Sequence, residues 1–294
     1  LTCIAAVVIV IFFVPYTASG FAACGKLFST LFGMNYMVAM LLSAAVIVLY
    51  CTMGGFLAVS TTDLIQSITM TIALVIVVIF GAVATGGFDT VIANAQGLPG
   101  YLSMVQTYVA DSASSKPYTP LMMISMLAWG LGYFGMPHIL LRFMAIEDEN
   151  KLKLSRRIAT VWVVISMAIA VFIGIIGLSM SKAGVIPALE GNNSETVIIQ
   201  IASALSTHGV IPALIAGVIL AGILAATMST ADSQLLAAAS SISQNLVQDF
   251  GKKKLDTKTS LRIARITVIV ISLIAVFIAQ NPDSSIFTIV SFAW

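Results

Sequence analysis

From Val210 to Ala231, a stretch of 22 residues, the chain carries no charged side chain. A helix needs about 20 apolar residues to cross the hydrocarbon of a bilayer. A run of this length leaves few folds open, because in lipid only a helix or a closed barrel satisfies its own backbone. The rest of the chain agrees with a helical reading. Of its 294 residues, 59% are hydrophobic and 9% charged, whereas a soluble domain carries about 25% charged residues. The pattern predicts an all-α polytopic membrane protein.

The same composition argues against several functions. The net charge of +2 points to no charged partner, and no basic cluster interleaved with aromatics favours a nucleic acid. Cys3, Cys24 and Cys51 are odd in number and widely spaced in apolar surroundings. They read as small core residues. No phosphate-binding glycine loop, His/Cys cluster or pair of intramembrane acids supports enzymatic chemistry or an organic cofactor.

The uncharged run is not wholly apolar. Thr227, Ser229 and Thr230 lie within it, and Asp232, Ser233 and Gln234 follow. Ala226, Ser229 and Thr230 are spaced i, i+3, i+4 and so share one helix face. One backbone carbonyl beside two hydroxyls offers three neutral oxygens, and hard cations bind oxygen. The alternative is that the hydroxyls bond back to the i−4 carbonyl or hold helices together.

Seven spans and the start of an eighth are expected. The first covers Leu1 to about Phe32, interrupted at residues 15–20. The second runs from Tyr36 to Thr52 and ends in a tight turn at Gly54-Gly55. The third covers Thr61 to Val83. Residues 88–119 read as a loop with a short helix near Leu102–Val109. The fourth span, Pro120 to Ala145, is broken by Gly130, Gly132, Gly135 and Pro137. The fifth covers Ala159 to Met180, and Thr196–Leu205 reads as a surface amphipathic helix. The sixth is the organising run, the seventh covers Ile266 to Ile278, and Ser285 opens the eighth. Both chain ends fall inside apolar runs, which reads as an internal fragment of a longer transporter-like chain.

Basic residues set the orientation. The connections at 142–157 and 251–265 hold 11 of the 14 Lys and Arg, and the positive-inside rule makes both cytoplasmic. The 88–119 and 183–209 loops are then external. Asp63 and Asp232 fall in the cytoplasmic half of the membrane.

A second dense signal is Ala128 to Ala145. Three glycines and a proline within eight residues break a helix, and a broken helix at membrane depth frees its half-helix ends for a ligand. Trp129, Tyr133 and Phe134 supply flat walls with polar handles. Helix ends for charges and aromatics for a carbon skeleton suit a small zwitterion. Close helix packing at the glycines is the competing account. Asp63 is either a cap on the third helix or an acid with a cation-entry or gating role. Asp232 reads similarly, as a vestibule residue. His138 reads as structural and His208 as solvated.

Taken together, residues 50–58 (YCTMGGFLA), 62–66 (TDLIQ), 129–140 (WGLGYFGMPHIL), 142–145 (RFMA) and 225–230 (AATMST) resemble the sodium/solute symporter family, closest to its sodium/proline members. The resemblance runs over essentially the whole chain. It implies a five-plus-five inverted-repeat transporter fold, here partial. Residues 1–86 would be the last three helices of the first repeat, 87–119 an external loop, and 120–294 most of the second. It implies a sodium ion on the Ala226 carbonyl and the Ser229 and Thr230 hydroxyls, and substrate near Tyr16, Trp129, Tyr133 and Pro137. Asp63 would match an acid linked to sodium use.

The expected function is sodium-coupled symport of a small solute, L-proline first, across the cell membrane by alternating access. Sodium, proline and the bilayer are the expected partners, with no nucleic acid. The alternatives are another amino acid or carboxylate as substrate, or a sensor module built on the same fold. A channel would show flux without sodium–substrate coupling, and the broken helix with its aromatic walls argues against it.

Overall fold

The computed structural model describes residues 2–251 and 256–294. Among them seven helices are long and apolar enough to cross a bilayer. Lys252, Lys253 and Lys254 of the second basic connection lie outside the described residues.

In chain order the helices are α1 (Thr2–Phe32), α2 (Tyr36–Ala84) and α3 (Phe88–Gln96), followed by strands β1 (Gln106–Val109) and β2 (Ser114–Pro117). Then come α4 (Pro120–Gly132), α5 (Pro137–Met144), α6 (Leu152–Lys182), α7 (Val197–Ser206), α8 (Val210–Ser240), α9 (Thr257–Ile278) and α10 (Ile286–Ala293). A π-helical segment, Ser241–Phe250, continues α8. The chain divides into two compact units, Leu1–Met70 with Leu220–Trp294, and Thr71–Ile219.

The structure refines the sequence reading in several places. The first span is not interrupted: α1 runs through Pro15 without a break. Proline removes one N–H but the helix elsewhere keeps its ladder, and Thr17 and Ser19 donate to the carbonyls of Phe13 (2.8 Å) and Tyr16 (2.7 Å). The second and third spans, Tyr36–Leu57 and Val59–Ala84, meet at the expected glycines, where the turn is a sharp kink at Gly55 with φ 62° and ψ −165°. That backbone region is essentially open to glycine alone.

In the 88–119 loop, the helix lies at Phe88–Gln96 rather than near Leu102–Val109. It buries Val91 and Ala95 and packs on α6, where Ser179 donates to the Val91 carbonyl (3.4 Å). Residues 106–117 form a short antiparallel hairpin pairing Gln106 with Pro117 and Val109 with Ser114 within an otherwise helical fold. Ala113 takes the left-handed turn at φ 47°. The fourth span breaks where Gly135 and Pro137 foretold it. The surface helix expected at 196–205 is α7, which nonetheless buries Ile199, Ile201, Ala202 and Leu205.

In the first unit α1 is the central element, packed against α9, α10 and the π segment. In lipid the usual hydrophobic drive between helices is absent, so close packing and polar contacts hold them. Gly25 lets the Tyr36 ring approach α1: a Cβ there would stand 2.7 Å from the ring. The Tyr36 hydroxyl then donates to the Ala279 carbonyl just past the end of α9 (2.7 Å). Lys26 donates to the Ser284 carbonyl in the following loop (2.9 Å). Phe12 meets Phe292 of α10 at 5.5 Å between ring centroids. Gln248 in the π segment donates to Ser260 of α9 (2.8 Å).

In the second unit Gly81 of α2 admits Ile176 and Met180 of α6, and Gly177 of α6 admits Val197 of α7. Trp162 donates to Thr71 (3.1 Å), and Phe80 meets the His208 ring edge-on at 5.7 Å.

Gly55→Ala places a Cβ in glycine-only backbone. It is expected to cost roughly 1–3 kcal/mol, read as a lowered melting midpoint of the purified protein. An unchanged midpoint would mean that the kink relaxes without strain.

Candidate functional site

The chemistry-bearing residues of the first unit gather along α8. The Ser229 hydroxyl donates to the Ala226 carbonyl at 3.1 Å, and the Thr230 hydroxyl donates to the same carbonyl at 3.1 Å. Three oxygens are thus drawn into one small cluster by the i, i+3, i+4 spacing. All three residues are half-buried. Each hydroxyl keeps lone pairs directed away from the carbonyl, so the set can present neutral oxygen ligands to a hard monovalent cation. The two readings left open by the sequence are therefore compatible. The hydroxyls bond back to the helix, and in doing so they converge.

What positions α8 is its contact with α1. A Cβ on Gly20 would stand 3.3 Å from the Ala231 Cβ and 3.7 Å from the Thr227 Cγ2. Thr227 and Ala231 are one turn apart, so Gly20 lies over a full turn of α8. Thr227 itself donates to the Ile223 carbonyl (3.0 Å), and it faces α1 rather than joining the oxygen cluster.

Just beyond the cluster the helix becomes fully buried. Asp232 is 0% exposed. Its Oδ1 accepts from Ser233 (3.0 Å), whose hydroxyl also donates to the Ser229 carbonyl (2.7 Å). Its Oδ2 has no hydrogen-bond partner among the described residues. Gln234 is also 0% exposed, and neither end of its amide has a partner among the described residues. The sequence showed Gln234 only as one more polar residue near the end of the span, and no spacing rule singled it out.

Tyr16 lies on α1, 9% exposed. Its ring meets Phe13 at 6.4 Å and Trp294 at 6.0 Å, both edge-on. Asp63 sits on α2 beyond the Gly55 kink, half-buried. Helix runs on both sides of it, and the Gly55 kink lies earlier in the chain. Its neighbours Thr61 and Thr62 donate back to Leu57 and Val59 (both 2.9 Å).

The second unit holds the broken helix. α4 ends at Gly132 with Tyr133 as its C-cap, and α5 starts with Pro137 in its first turn. Between them Gly135 and Met136 both donate to the Gly132 carbonyl (3.0 and 3.1 Å). The break therefore brings the negative end of one half-helix near the positive end of the next. Trp129 and Tyr133 are four residues apart and share a face. Trp129 is half-buried and Tyr133 is 43% exposed. Tyr133 and Pro137 thus occupy the two lips of the break, with Trp129 one turn before it. Arg142 donates to the His138 carbonyl of its own helix (2.9 Å).

Seven long apolar helices, one of them broken and another bearing an oxygen cluster, define a class, the polytopic membrane proteins. The chain belongs to the sodium:solute symporter family, whose model matches residues 1–294. It is 39% identical over 292 residues to the osmoregulated proline transporter of Bacillus subtilis, covering 99% of this chain and 56% of that protein. It is 38% identical to the sodium/proline symporter of Salmonella typhimurium and 37% identical to that of Escherichia coli, in each case over 99% of this chain and 55% of the relative. The chain spans about half the length of the curated relatives it matches. The fold is similar to that of a Na+-coupled sialic acid symporter in a substrate-bound outward-open state, with TM-score 0.72 and 18% identity. That match covers 94% of this chain and 57% of the other.

Gly20→Ala is expected to be tolerated, because the neighbouring methyl of Ala231 need give only slightly. Gly20→Ile overpacks the α1–α8 contact and should cost about 1–3 kcal/mol. Melting midpoints of the two variants test this. Equal midpoints would show that Gly20 does not set the approach of the two helices.

Proposed function

We propose that the full-length protein is a sodium-coupled symporter that carries a small zwitterion, L-proline first among candidates, into the cell by alternating access. It acts as a carrier, not an enzyme, and uses Na+ as coupling ion with no organic cofactor. The observation that carries this reading is the convergence of the Ala226 carbonyl with the Ser229 and Thr230 hydroxyls on a half-buried face of α8. Support for the solute comes from relatives named as sodium/proline symporters at 37–38% identity over nearly the whole chain.

In this reading Ala226, Ser229 and Thr230 supply three of the sodium ligands. Tyr16, Trp129, Tyr133 and Pro137 hold the substrate, the aromatics against its ring and the half-helix ends against its charges. Asp63 and Asp232 serve sodium use or gating. The protein lies in the cell membrane with the 142–157 and 251–265 connections in the cytoplasm. Residues 1–86 and 120–294 belong to two inverted repeats, with 87–119 outside the cell.

Sodium favours the conformation that forms the substrate site. By linkage, substrate tightens sodium by the same factor. Because the three oxygens are neutral, the bound ion keeps its charge. The membrane potential then adds roughly 2.3 kcal/mol per charge per 100 mV to the drive.

The test is radiolabelled L-proline uptake into proteoliposomes holding the full-length parent, with and without an inward sodium gradient. Sodium-driven accumulation is expected. Saturable binding without uptake would favour a sensor, and neither would shift the substrate to another small solute. Ser229→Ala and Thr230→Ala should each raise the half-saturating sodium concentration about tenfold, the loss of about 1.4 kcal/mol. Unchanged sodium dependence in both would remove the cation site. Trp129→Ala should weaken apparent proline affinity by roughly tenfold or more while sodium binding persists. A fall in protein abundance alone would make Trp129 a packing residue.

A further inference from the structure

Gln234 is a buried polar side chain to which neither packing nor the sodium ligands give a task. Its amide is wholly enclosed, and neither Oε1 nor Nε2 finds a hydrogen-bond partner among the described residues. Burying an amide in that state is unfavourable, so a fold that holds one usually gives it a partner at some stage of its cycle.

Its place on α8 narrows what that partner is. Gln234 follows Thr230 by four residues and Ala231 by three. It therefore stands between the face that bears the oxygen cluster and the face that Gly20 of α1 covers. The two hydroxyls of α1 that flank this contact, Thr17 and Ser19, already donate to their own helix. Asp232, two residues earlier, leaves the helix from nearly the opposite side. Of the oxygen cluster, Thr230 lies one turn before Gln234 on the same face. One turn is about 5.4 Å, a distance that a Gln side chain can largely span.

We infer that Gln234 is a second, transient ligand for the sodium ion, met as the ion leaves Ala226, Ser229 and Thr230 toward the cytoplasm. This rests on the sodium site and the orientation proposed above. The amide oxygen is a hard, neutral donor of the kind that group I and II cations take. It replaces part of the coordination lost when the ion lets go of the hydroxyls, and so lowers the barrier to departure. Its neutrality matters: a site on a conduction path must bind well enough to be entered and weakly enough to be left. Gln234 therefore governs how fast sodium leaves, not how tightly it is held at equilibrium.

The experiment uses the purified full-length protein and 22Na+ as the probe, comparing the parent with Gln234→Met, which keeps the length and removes the oxygen. Three quantities are read: equilibrium affinity, dissociation rate and melting midpoint. The expected result is an affinity within about threefold of the parent, an undiminished midpoint, and dissociation about tenfold slower, the equivalent of about 1.4 kcal/mol in the barrier. An unchanged dissociation rate overturns the inference. So does a change in affinity that moves together with a lowered midpoint, the signature of a packing role. A parent that binds no 22Na+ saturably fails the sodium site itself and takes this inference with it. A parent whose binding is lost on Ser229→Ala, beside a Gln234→Met variant with unchanged dissociation, leaves the sodium site standing and overturns only the role of Gln234.

Discussion

In hydrocarbon there is no water for a stray backbone or hydroxyl group, and this one constraint shapes the whole molecule. Hydroxyl after hydroxyl on its helices turns back to a carbonyl three or four residues earlier: Thr17, Ser43, Thr85 and Ser272 are buried examples. Most such bonds do nothing but satisfy the donor. At Ala226 two hydroxyls turn to the same carbonyl. The rule that hides polar groups elsewhere there concentrates three oxygens in one place. The helix stays intact, so the cluster comes at little cost in backbone hydrogen bonding.

The same constraint explains why the break between α4 and α5 is tolerated. Tyr133 to Met136 leave the helix, but the amides of Gly135 and Met136 both close on the Gly132 carbonyl. The interruption is short, and its nearest groups are mostly satisfied. The half-helix ends remain as fixed dipoles.

Features that depend on local spacing were legible in the sequence. Long uncharged runs located the spans, and glycines with Pro137 located the break. The i, i+3, i+4 spacing put Ala226, Ser229 and Thr230 together, since helix geometry alone fixes such neighbours. Features that depend on packing were not. Pro15 reads as an interruption, yet α1 passes through it because the surrounding ladder holds. Gly54-Gly55 reads as a tight turn, but the residues do not say that a single glycine conformation, at Gly55, suffices to make it. In the 88–119 loop, the apolar pair Val91 and Ala95 is too short a signal to outweigh the polar residues around it. Only contact with α6 gives it meaning. Nor does sequence tell the buried Asp232 and Gln234 from solvated residues at a span end. Their burial is set by elements distant in sequence.

The order of polar residues along α8 bears on how a carrier built this way avoids trapping its ion. The hydroxyl cluster is neutral and half-buried. The carboxylate that follows is fully enclosed, with one oxygen engaged by the Ser233 hydroxyl that also donates to the Ser229 carbonyl. A carboxylate placed directly on the face that bears the cluster would deepen the cation well by a Coulomb interaction that low dielectric makes large. Occupancy would rise, and release would slow by the same factor. Hydroxyls and an amide give a shallower series of oxygens. The acid, held through Ser233, would act on an ion there through the field rather than as a ligand of the cluster. On the proposed sodium site, affinity and turnover would then be governed by different side chains on one helix.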